Sequence, residues 1–200
     1  MLKKLNPILV QKRLAEKNIV FFSPREFQRI FAVSDFAVHK YIHEHSKKGF
    51  FNKLKNGLYC LSSANPHSFS VANKLYIPSY ISLATALSFH GIIPETIYSI
   101  TSITSKATRN FVSNQKEFIY RKIKKNLFTG YYFCKQADEK FLIAEPEKAL
   151  LDYLYFLPFD SEKINERINI RKLKKSKIKK WQRLFDNSKI DKFIEEIYAN

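Results

Sequence analysis

The best match to a catalytic pattern in this chain is Asp138-Glu139-Lys140, which has the acid-x-lysine form of one half of a restriction-type nuclease motif. Pro94-Glu95 could supply the other half, and such carboxylates would hold Mg²⁺ and activate water. Yet the triplet lies in the polar run Gln136-Ala137-Asp138-Glu139-Lys140, which reads as a hairpin turn and not as a catalytic strand. His39 and His43 stand at i, i+4, a metal-binding spacing, but no Glu follows His39 and no third ligand is evident. Those two and His45 are therefore expected to be solvated or to face DNA. Glu147 and Asp152 are five apart on a predicted helix, so they do not face each other as a carboxylate pair would. Neither cysteine has an activating neighbour, and glycines at 49, 57, 91 and 130 are too scattered for a phosphate loop. The expectation is a binding protein with no catalytic residue, metal or cofactor.

The class of partner is indicated by charge. The 200 residues carry 35 Lys and Arg against 18 Asp and Glu, a net +17. A field of that sign favours DNA, RNA or an anionic membrane face. The excess is uneven: net +8 over residues 1–65, +3 over 66–160 and +6 over 161–200. No stretch approaches the roughly 18 apolar residues of a spanning helix, and the N-terminus lacks the apolar core of a signal peptide. Cys60 and Cys134 are too few for a disulfide framework, so a cytoplasmic location is expected.

The elements that would present this charge are clearest in the first sixty residues. Pro7 to Lys17 reads as a helix with apolar Ile8, Leu9 and Leu14. Ser23-Pro24-Arg25-Glu26 is a capping box with proline at the first helical position, opening a short helix whose buried face is Phe27, Ile30 and Phe31. After Ala32-Val33-Ser34, Ser34 caps a third helix running to about Lys47, with Val38, Ile42 and Tyr41 inward. That arrangement leaves Ser34, Asp35, Phe36, His39, Lys40 and His43 outward. Two helices joined by a three-residue turn, the second polar and basic at its start, is the helix-turn-helix layout. Gly49 ends the helix, and two strand-like runs, Phe50–Leu54 and Leu58–Leu61, are joined through Lys55-Asn56-Gly57, a strong hairpin signal.

A winged helix-turn-helix over residues 1–62 is thus expected to bind double-stranded DNA, the alternative being a winged helix used only for protein contacts. Lys40, Lys47, Lys48, Lys53 and Lys55 would grip phosphate, with Asn56 at the wing tip. Ser34, Asp35, Phe36 and His39 would read base edges, Phe36 suiting a thymine methyl or else packing on the second helix.

Residues 63–75, beginning Ser63-Ala64-Asn65-Pro66, read as a linker. Beyond it, residues 76–200 read as a mixed α/β domain, giving an α+β chain overall. A helix is expected over Ile81–Phe89, stopping at Gly91. Tyr98–Thr104, Glu117–Ile123, Tyr131–Cys134 and Phe141–Ala144 would form a small, largely antiparallel sheet. Pro146–Leu154 is a well-marked helix. A short helix from Ser161-Glu162-Lys163 would bury Ile164 and Ile168. Ser176 would cap a helix with Ile178, Trp181, Leu184 and Phe185 on one face, and a last helix would bury Ile190, Phe193, Ile194 and Ile197. Arg171, Lys172, Lys174, Lys175, Lys177, Lys179 and Lys180 place seven cations in ten residues, either a second DNA contact or a solvated helix face and loop.

These features carry a family resemblance. Asn56-Gly57-Leu58-Tyr59, then Pro78-Ser79-Tyr80-Ile81-Ser82 with Ala86-Leu87 and His90-Gly91, then Ala144-x-Pro146-Glu147-Lys148-Ala149-Leu150-Leu151-Asp152, resemble the AbiEi-type antitoxins of abortive-infection systems over about residues 20–155. Arg167-Ile168-Asn169 and Phe185-Asp186-Asn187-Ser188-Lys189 are similar in style. The resemblance implies a type IV toxin–antitoxin system of phage defence. Its N-terminal domain would bind inverted repeats in its own promoter, and its C-terminal domain would counter a nucleotidyltransferase toxin without a tight complex. It offers no catalytic residues. Tyr80, Glu147, Lys148 and Asp152 are expected to be structural (a cap, a charged first turn, a buried hydrogen bond), or else a toxin-countering surface. The alternatives are a stand-alone winged-helix regulator and, more distantly, a Mg²⁺-dependent nuclease.

Overall fold

The computed structural model describes residues 5–136, 139–157 and 165–199. It divides into two compact units, residues 1–67 and 68–200.

In the first unit α1 (Pro7–Glu16) starts where the Asn6 side chain accepts from the Ile8 amide at 3.0 Å and Pro7 occupies the first turn. Its buried pair is Val10 and Leu14, one turn apart, whereas Ile8 and Leu9 are 76% and 47% exposed. The expected apolar set is therefore only partly inward, because its spacing puts Ile8 and Leu9 off the Val10–Leu14 stripe. Phe21–Phe22 (β1) is a two-residue strand, too short to show alternation in sequence. α2 (Pro24–Phe31) carries the full capping box: the Ser23 hydroxyl accepts from the Glu26 amide at 3.2 Å and the Glu26 carboxylate accepts from the Ser23 amide at 2.8 Å. Ala32 then turns the chain in a left-handed conformation, φ 51°, and Ser34 caps α3 (Asp35–Lys47).

Two glycines shape the hairpin and its entry. At the end of α3, Gly49 (φ 74°) donates to the Ser46 carbonyl and Phe50 donates to that of His45, a Schellman ending. β2 (Phe51–Lys55) and β3 (Leu58–Leu61) then form a hairpin with Lys53 opposite Tyr59 and Lys55 opposite Leu58. Gly57 has positive φ and Asn56 does not, so this is a turn with an adjoining bulge and not the mirror-image type I′ turn. The sheet order is β1-β3-β2, all antiparallel. Phe22, Phe27, Tyr41 and Phe51 form its aromatic centre, with Phe22 5.2 Å from Phe51 and Phe27 5.8 Å from Tyr41.

The second unit begins sooner than expected. Ser68–Leu75 is helix α4 and not linker. Val71, Ala72 and Leu75 make a buried stripe, and Asn73 brackets the Leu142 backbone, accepting from its amide at 2.5 Å. The mixed composition of this stretch conceals the stripe. β4 (Ser79–Ile81) replaces the start of the expected helix, because Tyr80 and Ser82 alternate toward one buried partner; α5 (Leu83–Phe89) is only seven residues.

β5 (Ile100–Thr104), β6 (Arg109–Ser113), β7 (Lys116–Lys122), β8 (Tyr131–Gln136) and β9 (Glu139–Ala144) complete a six-stranded sheet of order β6-β7-β5-β4-β9-β8. Three neighbour pairs are antiparallel, but β5–β7 and β4–β9 are parallel, so the sheet is mixed. β6 is an exposed edge strand with no apolar alternation to announce it.

The remaining helices are α6 (Pro146–Phe156), α7 (Lys175–Phe185) and α8 (Ser188–Ala199). α7 starts one residue before Ser176, with no side-chain cap, because the Lys174 amide is anchored on the Glu147 carboxylate at 2.9 Å. Ile178, Trp181 and Phe185 are buried but Leu184 is exposed; in α8 Ile190, Ile194 and Ile197 are buried and Phe193 is half-buried. The helix expected at Ser161-Glu162-Lys163, with Ile164, lies outside the described residues, whereas Ile168 is buried within a turn.

Between β4 and α6 lies a fully buried polar network. Lys148 pairs with Asp152 one turn along α6 and donates to the Tyr80 hydroxyl at 3.0 Å. Tyr80 and Ser82 both donate to the other Asp152 oxygen, at 3.0 and 2.8 Å. Burial pushes the Lys148 pKa down and that of Asp152 up, each opposed by the partner's charge. Glu147 does not pair with Lys148; it reaches toward α7, holding the Lys174 amide and lying 4.0 Å from Lys177.

Asp152→Ala leaves Lys148 as an uncompensated buried charge and is expected to cost roughly 3–5 kcal/mol in denaturant unfolding, whereas Lys148→Met with Asp152→Leu recovers most of that loss. Equal losses would show that the pairing does not matter. Gly130 (φ 76°) lies under the Trp181 ring, where an added Cβ would meet ring carbon at 2.5 Å. Gly130→Ala is accordingly expected to lose about 1–3 kcal/mol and lower the thermal midpoint.

Candidate nucleic-acid interface

The outer face of α3 is set by its inner one. Val38, Tyr41 and Ile42 are buried, so helical spacing turns Asp35, Phe36, His39, Lys40 and His43 outward, and all five are exposed. Phe36 is 77% exposed, so the alternative in which it packs on α2 does not hold. Ser34 is exposed, but its hydroxyl accepts from the Ala37 amide at 3.3 Å and so serves as the cap. The carboxylate of Asp35 lies 3.6 Å from His39 Nε2.

A groove of about 510 Å³ runs between this face and the hairpin. Phe36, His39, Lys40 and His43 line it from α3, and Lys53 and Tyr59 line it from β2 and β3. Five of the residues singled out from sequence are therefore brought to one concavity. Lys47 and Lys48 are exposed at the C-terminal end of α3, where positive charge is favourable against the helix dipole, but they do not line it. Lys55 and Asn56 sit at the hairpin tip, the former half-buried and the latter exposed.

Sequence reasoning missed Tyr59, Ser46 and Ile42 as lining residues. Tyr59 was hidden by the bulge: a plain two-residue Asn-Gly turn would set it opposite Leu54, and the register shift between Lys53 and Lys55 brings it opposite Lys53 instead. His45 belongs elsewhere: its ring stacks on Tyr41 at 3.8 Å and its Nδ1 lies 2.9 Å from the Tyr41 carbonyl, in the aromatic core.

The 171–180 run is not one continuous face. A single turn of 3₁₀ helix, Ile170–Lys172, precedes α7 and breaks it. Lys172 donates to the Gly91 carbonyl at 2.8 Å and Lys177 to the Glu145 carboxylate at 2.9 Å, so both tie the chain to itself. The contact with Glu145 raises the Lys177 pKa. Lys175 lies 4.9 Å from the centre of the Tyr198 ring and Lys180 5.5 Å from that of Trp181. Arg171, Lys174, Lys175, Lys179 and Lys180 are exposed.

Of the nuclease pattern, Asp138 lies outside the described residues; the run joins antiparallel β8 and β9 as a hairpin, with Gln136 opposite Glu139, and Lys140 stands in β9 opposite Lys135. Glu95 is 3.5 Å from Arg167. Among the described residues no three His, Cys, Asp or Glu side chains gather to hold a metal, and no helix is long and apolar enough to cross a membrane. Both cysteines are free thiols.

Removing the Ser34 cap by Ser34→Ala is expected to cost about 1 kcal/mol in urea unfolding, whereas Phe36→Ala, at an exposed position, stays within about 0.5 kcal/mol of the parent. A larger loss for Phe36→Ala would place that ring in a packing role.

Family models give no match to this chain, and a search of curated proteins gives no relative.

Proposed function

We propose that the first unit is a winged helix-turn-helix that binds double-stranded promoter DNA, with α3 in the major groove and the β2–β3 hairpin as the wing. The observation that carries this is the shared groove: exposed Phe36, His39, Lys40 and His43 on one wall, Lys53 on the other. Such a concavity suits a sugar-phosphate ridge beside a helix that reads base edges. Lys40 and Lys53 would neutralise phosphate, with Lys47, Lys48 and Lys55 extending the grip. Phe36 offers an apolar contact to a thymine methyl, and His39, oriented by Asp35, offers a ring nitrogen to a base edge.

For the whole chain the reading is an antitoxin of a type IV system that represses its own operon and counters a nucleotidyltransferase toxin, acting by binding and without a chemical step. The resemblance through Asn56–Tyr59, Pro78–Ser82 and Ala144–Asp152 supports it, as does the net charge of +17. Full burial of Tyr80, Lys148 and Asp152 favours a structural role for them over a toxin-facing surface.

In a mobility shift on the promoter's inverted repeats, Lys53→Glu with Lys55→Glu is expected to weaken binding to every sequence and to lower the slope of log K against log salt by about 2. His39→Ala should instead change the ratio between sites. If neither variant moves the shift, α3 and the hairpin are not the reader. Co-expression with an adjacent nucleotidyltransferase that fails to restore growth would overturn the antitoxin reading alone.

A further inference from the structure

The second unit carries a concentration of positive charge that belongs neither to the α3 groove nor to the 171–180 run. Residues 96–136 hold eight Lys and Arg against one acid, Glu117. Strand register collects part of that excess. Lys122, the last residue of β7, lies beside Thr104, the last of β5. The Lys106 amide donates to the Thr104 hydroxyl at 3.2 Å, and the Lys122 amide donates to that of Thr108 at 3.1 Å. Thr108 immediately precedes Arg109, the first residue of β6. Lys106, Arg109 and Lys122 therefore converge at one end of three adjacent strands, and Lys124 and Lys125 lie just beyond them in the chain. All five are exposed, and none forms an ion pair among the described residues. Glu117 sits toward the other end of β7, opposite Val112.

Apolar surface lies among these cations. Lys106 and Arg109 stand 5.8 and 6.0 Å from the centre of the half-buried Tyr76 ring, whose hydroxyl donates to the Ala107 carbonyl at 3.1 Å. Ile77 is next in the chain and is 58% exposed. The Thr104 hydroxyl holds the next carbonyl, that of Pro78, at 2.7 Å, which keeps Ile77 at the border of the same patch.

We propose that this end of the sheet is a binding surface for single-stranded nucleic acid, with Lys106, Arg109 and Lys122 on phosphates and Tyr76 and Ile77 against an unstacked base. The positive charge selects a polyanion. The aromatic and apolar groups between the charges select the single strand: duplex phosphates present nothing to them, whereas a splayed base presents a flat face. The surface is independent of the α3 groove, and neither reading depends on the other.

The test is fluorescence anisotropy with the full chain and a labelled mixed-sequence strand of about 12 nucleotides, as RNA, as DNA and as a duplex. Lys106→Glu with Arg109→Glu and Lys122→Glu is expected to weaken single-strand binding tenfold or more and to lower the salt slope by about 2, from about 0.7 per phosphate lost. The charge-matched variant Lys17→Glu with Lys140→Glu and Lys192→Glu should change it by less than about threefold. Ile77→Ser, which alters no charge, should weaken single strands about threefold at an unchanged slope and leave the duplex untouched. Lys53→Glu with Lys55→Glu should bind single strands as the parent does. If the first variant melts more than about 5 °C below the parent, Lys106→Gln with Lys122→Gln takes its place. The RNA and DNA arms distinguish which strand is preferred. Equal losses in the patch and charge-matched variants, or an Ile77→Ser variant that binds as the parent, would overturn the proposal.

Discussion

The second unit depends on one buried ion pair. Lys148 and Asp152 lie a turn apart on α6 with no solvent exposure, where ordinary solvation of either charge is lost. What offsets that loss is geometry supplied by distant chain: Tyr80 and Ser82, about seventy residues earlier, complete the carboxylate's hydrogen bonds. β4 is central in the sheet, between β5 and β9, so the network fastens the middle of the sheet to the helix covering it. On the other side Phe185 and Trp181 of α7 lie within 5.0 and 5.9 Å of the lysine nitrogen, closing it from water. Loss of any one member exposes or strands the others.

The first unit solves a different problem, that of pointing a helix outward from a small core. Its centre is aromatic, and bulky rings fix orientation with few contacts. Local stops set the rest: a capping box, a left-handed Ala32, the Ser34 cap and the Gly49 ending fix where α2 and α3 begin and end. Since the core claims Val38, Tyr41 and Ile42, the outer residues of α3 have their direction decided for them.

Those same stops explain what was legible. Caps and the Asn-Gly turn are local chemistry, so α2, α3 and the hairpin could be drawn from sequence, and with them the groove-lining Phe36, His39, Lys40, His43 and Lys53. Elements whose existence rests on distant partners were not. β4 looked helical because Asp152, the residue that draws Tyr80 and Ser82 to one side, is remote in sequence. β6 is exposed and gains its identity from pairing with β7. α4 reads as a linker in sequence because its apolar stripe has meaning only against the sheet, whose strands β4, β5 and β9 it covers. Charge was misleading in its own way: the middle of the chain is nearly neutral in sum, yet its acids and bases occupy different stretches.

The position of Trp181 has a practical side. It is the chain's single tryptophan, 5% exposed, packed over Gly130 and beside a buried ammonium. Indole emission is thus a built-in optical label for the second unit, while the first contributes only tyrosine and phenylalanine signals. Comparing emission with far-ultraviolet dichroism along one denaturation series would separate the melting of the two units without any added probe.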